Sequence, residues 1–408
     1  MIRQCGRAKR RDQGVAMTVQ EHGIAAGHVL LLRYLNRAAV LCEQGYVPGS
    51  ALDTAMRLGC GLAAGPLSVM DAIGLGRVLE LMAGAAVTPA PLLTAMARQG
   101  RLGFGDHARP DEPEPVAAVP PASAGIVGSG TMAAGIAQAL AVHGVHTTLV
   151  ARGAERAAAA LRSVSAALDK AVARGRLEPA TREAAIGRLR ASVSIDDLAD
   201  CDFVIEAVVE EEDPKRAVFA ALDRVCRPGA VLATTTSSLS VADCAAATGR
   251  PADVVGMHFF NPAPVMKLVE VGHTPHTAPR TTAAARALAR HLGKVPVSCP
   301  DRSGFIVNYL LFPYLNDAIG MVERGQAGVA ELDREMHEVH GFPIGPFALL
   351  DTIGLDVSLA ILRRLHQQFG DPATRPGPML TRLVAEGRLG RKSGAGFHVQ
   401  RPSEGASR

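Results

Sequence analysis

Tryptophan is absent from this chain of 408 residues, tyrosine occurs four times, and aromatic residues make up only 4% of it. Side chains on which bases could stack are therefore scarce. The net charge of +4 is spread along the chain without a basic stripe, so nucleic acid is not an expected partner. No apolar run approaches the roughly 20 residues that a membrane span needs, so no membrane association is expected. The opening MIRQCGRAKRRDQG is basic with no apolar stretch behind it, which predicts no export signal. The seven cysteines, at positions 5, 42, 60, 201, 226, 244 and 299, contain no C-x-x-C pair. That scatter fits a reducing cytoplasm better than a disulfide framework or a zinc knuckle.

What the chain does contain is a repeat. YLNRAAVLCEQG from Tyr34 matches YLNDAIGMVERG from Tyr314, and GPLSVMDAIGL from Gly65 matches GPFALLDTIGL from Gly345, both 280 positions apart. After a short gap the match resumes as PLLTAMARQGRLG against PMLTRLVAEGRLG. One helical domain is thus expected twice. Between the copies, GDHARPDEPEPVAAVPPASAG has a linker's composition. The expected layout is a helical domain over 18–106, a Pro-rich linker over 107–121, a dinucleotide-binding α/β domain over 122–301 and a second helical domain over 302–398.

The α/β reading rests on GIVGSGTMAAGIAQALAVHGVHTTLVAR, residues 125–152. Gly128 permits a tight turn, Gly130 lets backbone approach a pyrophosphate, and Thr131 and Met132 open a helix whose dipole faces the phosphates. DFVIEAVVE and AVLATTTSS read as further strands separated by helical patterns, the mark of a parallel doubly wound sheet. The second strand of such a unit ordinarily ends on an acidic residue that binds the adenosine ribose. Here it ends on Ala151 followed by Arg152, with Arg156 one turn on. Loss of the carboxylate removes the repulsion of a 2′-phosphate, so the cofactor reading tilts to NADP, with NAD as the alternative.

GIVGSGTMAAGIA, DFVIEAVVE, TSSLS, GMHFFNPAPVMKLVEV, GFIVN and GRLGRKSGAGF occur in that order. The chain from about residue 122 to 398 resembles the 3-hydroxyacyl-CoA dehydrogenases, and the first helical copy resembles that family's C-terminal domain a second time. The resemblance implies a Rossmann domain followed by an all-α domain, a nicotinamide cofactor and a 3-hydroxyacyl thioester substrate. It also implies that two helical domains pack as a pair, here an internal pseudo-dimer within one chain.

Oxidising a secondary alcohol requires removal of a hydroxyl proton, and histidine suits that role. His258 is the candidate base. Glu270, twelve residues on, can lie beside it on a returning strand and stabilise the imidazolium. Ser237 and Asn308 match the family's donors to the reacting oxygen, and Asn261 follows the histidine closely. By the same resemblance Glu210 and Lys215 touch the nicotinamide ribose. From the residues alone, a solvated surface role for Lys215 is the alternative. Lys170, with Arg174 and Arg176, is placed to meet the phosphates of an acyl carrier, or to form a plain solvated face.

HEVH at 337–340 is one residue too short for a zinc helix and reads as a solvated helix end, and no metal site is expected. Two departures from the family stand out: Thr235 where Asn is usual, and a helical copy placed ahead of the cofactor domain. They keep two alternatives open, a dehydrogenase acting on an acyl carrier protein in polyketide extender-unit synthesis and a catalytically retired scaffold.

Overall fold

The computed structural model describes residues 25–105 and 120–399. The basic leader and nearly all of the linker lie outside the described residues.

The first helical copy comprises α1 (Ala26–Glu43), α2 (Gly49–Cys60), α3 (Pro66–Ile73), α4 (Leu75–Gly84) and α5 (Pro91–Arg98). The second comprises α12 (Val307–Glu323), α13 (Val329–Arg334), α14 (Pro346–Ile353), α15 (Leu355–Phe369) and α16 (Pro378–Ala385). The repeat extends to hydrogen bonding. Asp53 accepts from the Leu67 N–H at 2.8 Å, and Asp333 accepts from the Phe347 N–H at 2.8 Å, so in each copy a carboxylate caps a helix that starts on proline.

Between the copies lie β1 (Ser123–Val127), α6 (Thr131–Val142), β2 (His146–Val150), α7 (Ala154–Ala173), α8 (Pro179–Gly187), β3 (Leu189–Ser192) and β4 (Phe203–Glu206). They are followed by α9 (Glu212–Val225), β5 (Val231–Thr234), α10 (Val241–Ala246), β6 (Val254–Phe259), β7 (Leu268–His273), α11 (Pro279–His291) and β8 (Val295–Pro300). The strand order is β3-β2-β1-β4-β5-β6-β7-β8. The expected parallel sheet covers the first six strands in that order. β7 runs antiparallel to β6 and β8 parallel to β7, because FFNPAPVMK turns the chain straight back instead of crossing over through a helix.

One continuous cluster of buried residues runs from Leu30, Leu35 and Leu52 in the first copy to Leu310 and Leu315 in the second and on to one sheet face. The copies meet along α1 and α12. Tyr34 and Tyr314, equivalent residues of the repeat, pack edge to face with ring centroids 5.8 Å apart, and Arg37 donates to Asp317 at 2.5 Å. The Gly27 N–H donates to Glu335 at 2.6 Å.

His340 corrects the reading of HEVH as a solvated end. Its ring packs on His28 with centroids 4.6 Å apart, whereas His337 is exposed and bonds the Phe342 carbonyl. Burial, with His28 beside it, pushes the His340 imidazole down to about 4 from an ordinary 6.5. A histidine kept neutral by the fold contributes stability that is complete above about pH 6.5. That stability drains as pH falls toward 4, by roughly 2–3 kcal/mol. Accordingly, His340→Phe, which keeps the ring contact, should flatten the fall in Tm between pH 7 and pH 5. An unchanged slope would remove His340 as its cause.

Candidate active site

The parallel strands present their carboxyl ends to one side, where ligands of open α/β sheets bind. After β1, Gly128 holds φ at 141°, and a Cβ there would sit 2.3 Å from the Ala207 carbonyl oxygen, so only glycine allows this turn. Gly130 starts α6 without any side-chain cap, and a Cβ on it would meet nothing within 4 Å. An uncapped helix start with space before it fits a dinucleotide's pyrophosphate, with the amides of Thr131 and Met132 leading the helix. At the end of β2, Ala151 is buried and donates its N–H to the Ser192 carbonyl, while Arg152 and Arg156 are exposed.

The next group was only half legible. Glu206, the last residue of β4, is fully buried and receives Lys215 Nζ on both oxygens at 2.9 Å, together with the Thr234 hydroxyl and the Val208 N–H. Lys215 is 1% exposed, so its alternative as a solvated surface residue is wrong. Burial opposes its charge, but Glu206 and Glu210 outweigh that and raise its pKa. Burial likewise opposes ionisation of Glu210. Lys215, the Thr236 hydroxyl and the N–H groups of Ser237 and Ser238 nevertheless hold that carboxyl down to about 2. Glu210 therefore orients the turn carrying Ser237, whose hydroxyl donates to it at 3.2 Å.

His258 on β6 and Glu270 on β7 are direct cross-strand partners, and their side chains point to the same side. His258 Nδ1 lies 2.7 Å from Glu270 Oε2. The other carboxylate oxygen accepts the N–H groups of Ile306 and Val307 at 3.0 and 2.9 Å, the uncapped donors at the start of α12. Phe305 stacks on the imidazole with centroids 5.7 Å apart and itself adopts a left-handed φ of 45°. Its ring edge occupies the space above Gly272, where a Cβ would come within 2.4 Å.

Asn308, one residue after the second donor, is buried in the first turn of α12. The Ser303 hydroxyl donates to the Ser238 carbonyl and ties the Ser237 turn to the segment that leads into α12. His258, Glu270, Ser237 and Asn308 are thus linked through adjacent strands and one helix start. Asn261 is exposed just past β6, and the loop after it is anchored by Lys294, which donates to the carbonyls of Ala263 and Met266 at 2.5 and 2.8 Å. Lys170 is not part of this group. It is exposed in the last turn of α7, which packs on β3 at the far edge of the sheet from β6.

The model of the 3-hydroxyacyl-CoA dehydrogenase NAD binding domain matches residues 123–302, and that of the 3-hydroxyacyl-CoA dehydrogenase C-terminal domain matches twice, at 27–108 and 304–400. The chain belongs to the 3-hydroxyacyl-CoA dehydrogenase family. It is an oxidoreductase that transfers a hydride between a nicotinamide cofactor and a 3-hydroxyacyl or 3-oxoacyl thioester. A 3-hydroxybutyryl-CoA dehydrogenase of Mycobacterium tuberculosis is 43% identical over 277 residues, 67% of this chain and 97% of that one. The human mitochondrial hydroxyacyl-coenzyme A dehydrogenase is 39% identical over 280 residues, 67% of this chain and 89% of that one. Among solved structures, the (S)-3-hydroxybutyryl-CoA dehydrogenase of Ralstonia eutropha superposes with a TM-score of 0.67 at 39% identity, covering 69% of this chain and all of the other. Among the described residues, no helix is long and apolar enough to cross a membrane.

Proposed function

We propose that this enzyme interconverts a short 3-hydroxyacyl-CoA and its 3-oxoacyl-CoA, with His258 as the general base. The observation that carries the proposal is the His258–Glu270 contact, backed by two amide donors. With Nδ1–H donating to Glu270, Nε2 is left to take the hydroxyl proton, and the carboxylate stabilises the imidazolium that results. The Ser237 hydroxyl, turning from Glu210 to the substrate while the Ser237 N–H keeps its bond to that carboxylate, polarises the reacting oxygen together with Asn308, with Asn261 close by. The nicotinamide group supplies the site that accepts or returns the hydride. Gly128, Gly130, Thr131 and Met132 hold its pyrophosphate, with Ala151 and Arg152 at the adenosine ribose and Glu210 and Lys215 at the nicotinamide ribose. Lys170 is proposed only for the distal phosphates of the carrier. Purified protein should reduce acetoacetyl-CoA with NADPH or NADH. Activity confined to a thioester on an acyl carrier protein would move the substrate to that carrier, and no activity on either would favour a scaffold.

The cofactor reading is NADP over NAD, supported by the buried Ala151 and the exposed Arg152 and Arg156. Ala151→Asp should shift the ratio of kcat/KM with NADPH to that with NADH by about tenfold or more toward NADH, the scale of one close charge interaction. A wild-type ratio already strongly favouring NADH would sink this reading.

We also read the first helical copy, 18–106, as a built-in partner for the second, 302–398, joined through the linker 107–121 and the cofactor domain 122–301. The packing of α1 on α12 supports an internal pseudo-dimer. Residence in the cytoplasm belongs to the same reading, supported by six described cysteines that are all thiols. Deleting residues 1–106 should expose the apolar face of α12 and give dimers or aggregates by light scattering. A truncated protein that stays monomeric, soluble and fully active would refute the pairing.

A further inference from the structure

The rear of the Glu270 carboxylate is closed by the first helical copy. α2 packs against β7, which carries Glu270, against the start of α12, which carries its two amide donors, and against β8, which leads into α12. At its closest approach, a Cβ on Gly59 would sit 2.8 Å from Val307 Cγ2 and 3.0 Å from Leu268 Cδ2. Val307 gives Glu270 one of its two N–H bonds, and Leu268 precedes Glu270 by two residues on the same strand. Tyr46 donates its hydroxyl to the Pro300 carbonyl at the end of β8, and Cys299 beside it is buried. Arg302 lies between the Tyr46 and Tyr309 rings, 4.9 and 3.7 Å from their centroids, and fastens the connection from β8 to α12 to the first copy.

The repeat supplies an internal control. The counterparts of Tyr46 and Gly59, 280 positions on, are Gln326 and Val339. Val339 is 53% exposed, so the helical domain as such places no demand for glycine at that position. The demand comes from the wall behind Glu270.

We infer that the first helical copy is part of the catalytic wall, with Tyr46 and Gly59 as positioning residues that hold the Glu270 carboxylate and the start of α12 in register. Neither touches the reacting atoms. They keep water from the back of the carboxylate, which leaves His258, Ile306 and Val307 as its partners and fixes the imidazole by way of Glu270.

The inference rests on His258 and Glu270 as the working pair. The test is Gly59→Ala in the full chain, with steady-state kinetics on acetoacetyl-CoA and a thermal melt. The added methyl displaces Val307 and should lower kcat roughly tenfold while KM for both substrates stays within about twofold. Adding Val307→Ala, which empties the space the methyl needs, should recover most of that loss. Tyr46→Phe, which keeps the ring and loses only the bond to Pro300, should lower kcat by a few-fold with the same split, and decides the matter if Gly59→Ala does not fold. Unchanged kcat in both variants, or kcat and KM changing together with the melt and no rescue, overturns the inference. An inactive His258→Gln beside an unaffected Gly59→Ala rejects the wall alone. A fully active His258→Gln rejects the catalytic pair first.

Discussion

His258→Gln lowers turnover by roughly 10²–10⁴-fold, the range for loss of a positioned general base. The Ile306 and Val307 N–H groups still donate to Glu270, so the carboxylate stays hydrogen-bonded and the strand pair is not left with a bare buried charge. What is lost is the atom that accepts the hydroxyl proton. Cofactor affinity should change little, because the turn at Gly128 and Gly130 lies at the end of β1, three strands away. Single-turnover rates with acetoacetyl-CoA, beside a fluorescence titration of the reduced cofactor, separate the two effects. A variant with wild-type turnover on every thioester the enzyme accepts would show that the proton goes elsewhere.

Lys215→Met is expected to have the largest effect on stability. It removes the ammonium group from between Glu206 and Glu210, and Glu206 is fully buried. Breaking a buried pair on one side costs about 3–5 kcal/mol, because the remaining charge loses its partner and gains no water. A domain of this size then melts on the order of 10 °C lower. Exchanging both partners together, Glu206→Leu with Lys215→Met, should recover much of that. If Lys215→Met melts like wild type, the pair is not the support of the Ser237 turn that its geometry suggests.

The features legible in the sequence are those whose cause is local. Gly128 announces a turn because backbone geometry there tolerates no side chain. The repeat is visible because burial preserves Tyr34, Leu52 and Met56 at the same spacing as Tyr314, Leu332 and Met336. The spacing of His258 and Glu270 is that of two strands joined by a turn. Glu206 was missed. A glutamate inside the apolar stretch FVIEAVV is itself a signal, since a buried carboxylate needs a cation to meet it, but its cation lies nine residues on in a helix. His340 was misread because its cover, His28, comes from the other end of the chain. The contacts of Gly59 were hidden for the same reason: in a sequence a glycine near the end of a helix reads as a stop, and only the fold brings Val307 against it.

The ion pair between Arg37 and Asp317 has a consequence for assembly. The two are equivalent positions of the repeat, facing each other beside Tyr34 and Tyr314. Two C-terminal copies brought together in the same way would set one Asp317 against another, and two first copies would oppose Arg37 to Arg37. Like charges at such a contact weaken it without removing its apolar packing, so the surface prefers its own tethered counterpart to a second molecule. In the internal pairing proposed above, the linker also removes the encounter from mass action, so the pairing has a fixed effective concentration and does not weaken as the protein is diluted. With an arginine in one copy and an aspartate at the equivalent position of the other, the two copies are complementary where two identical ones are not.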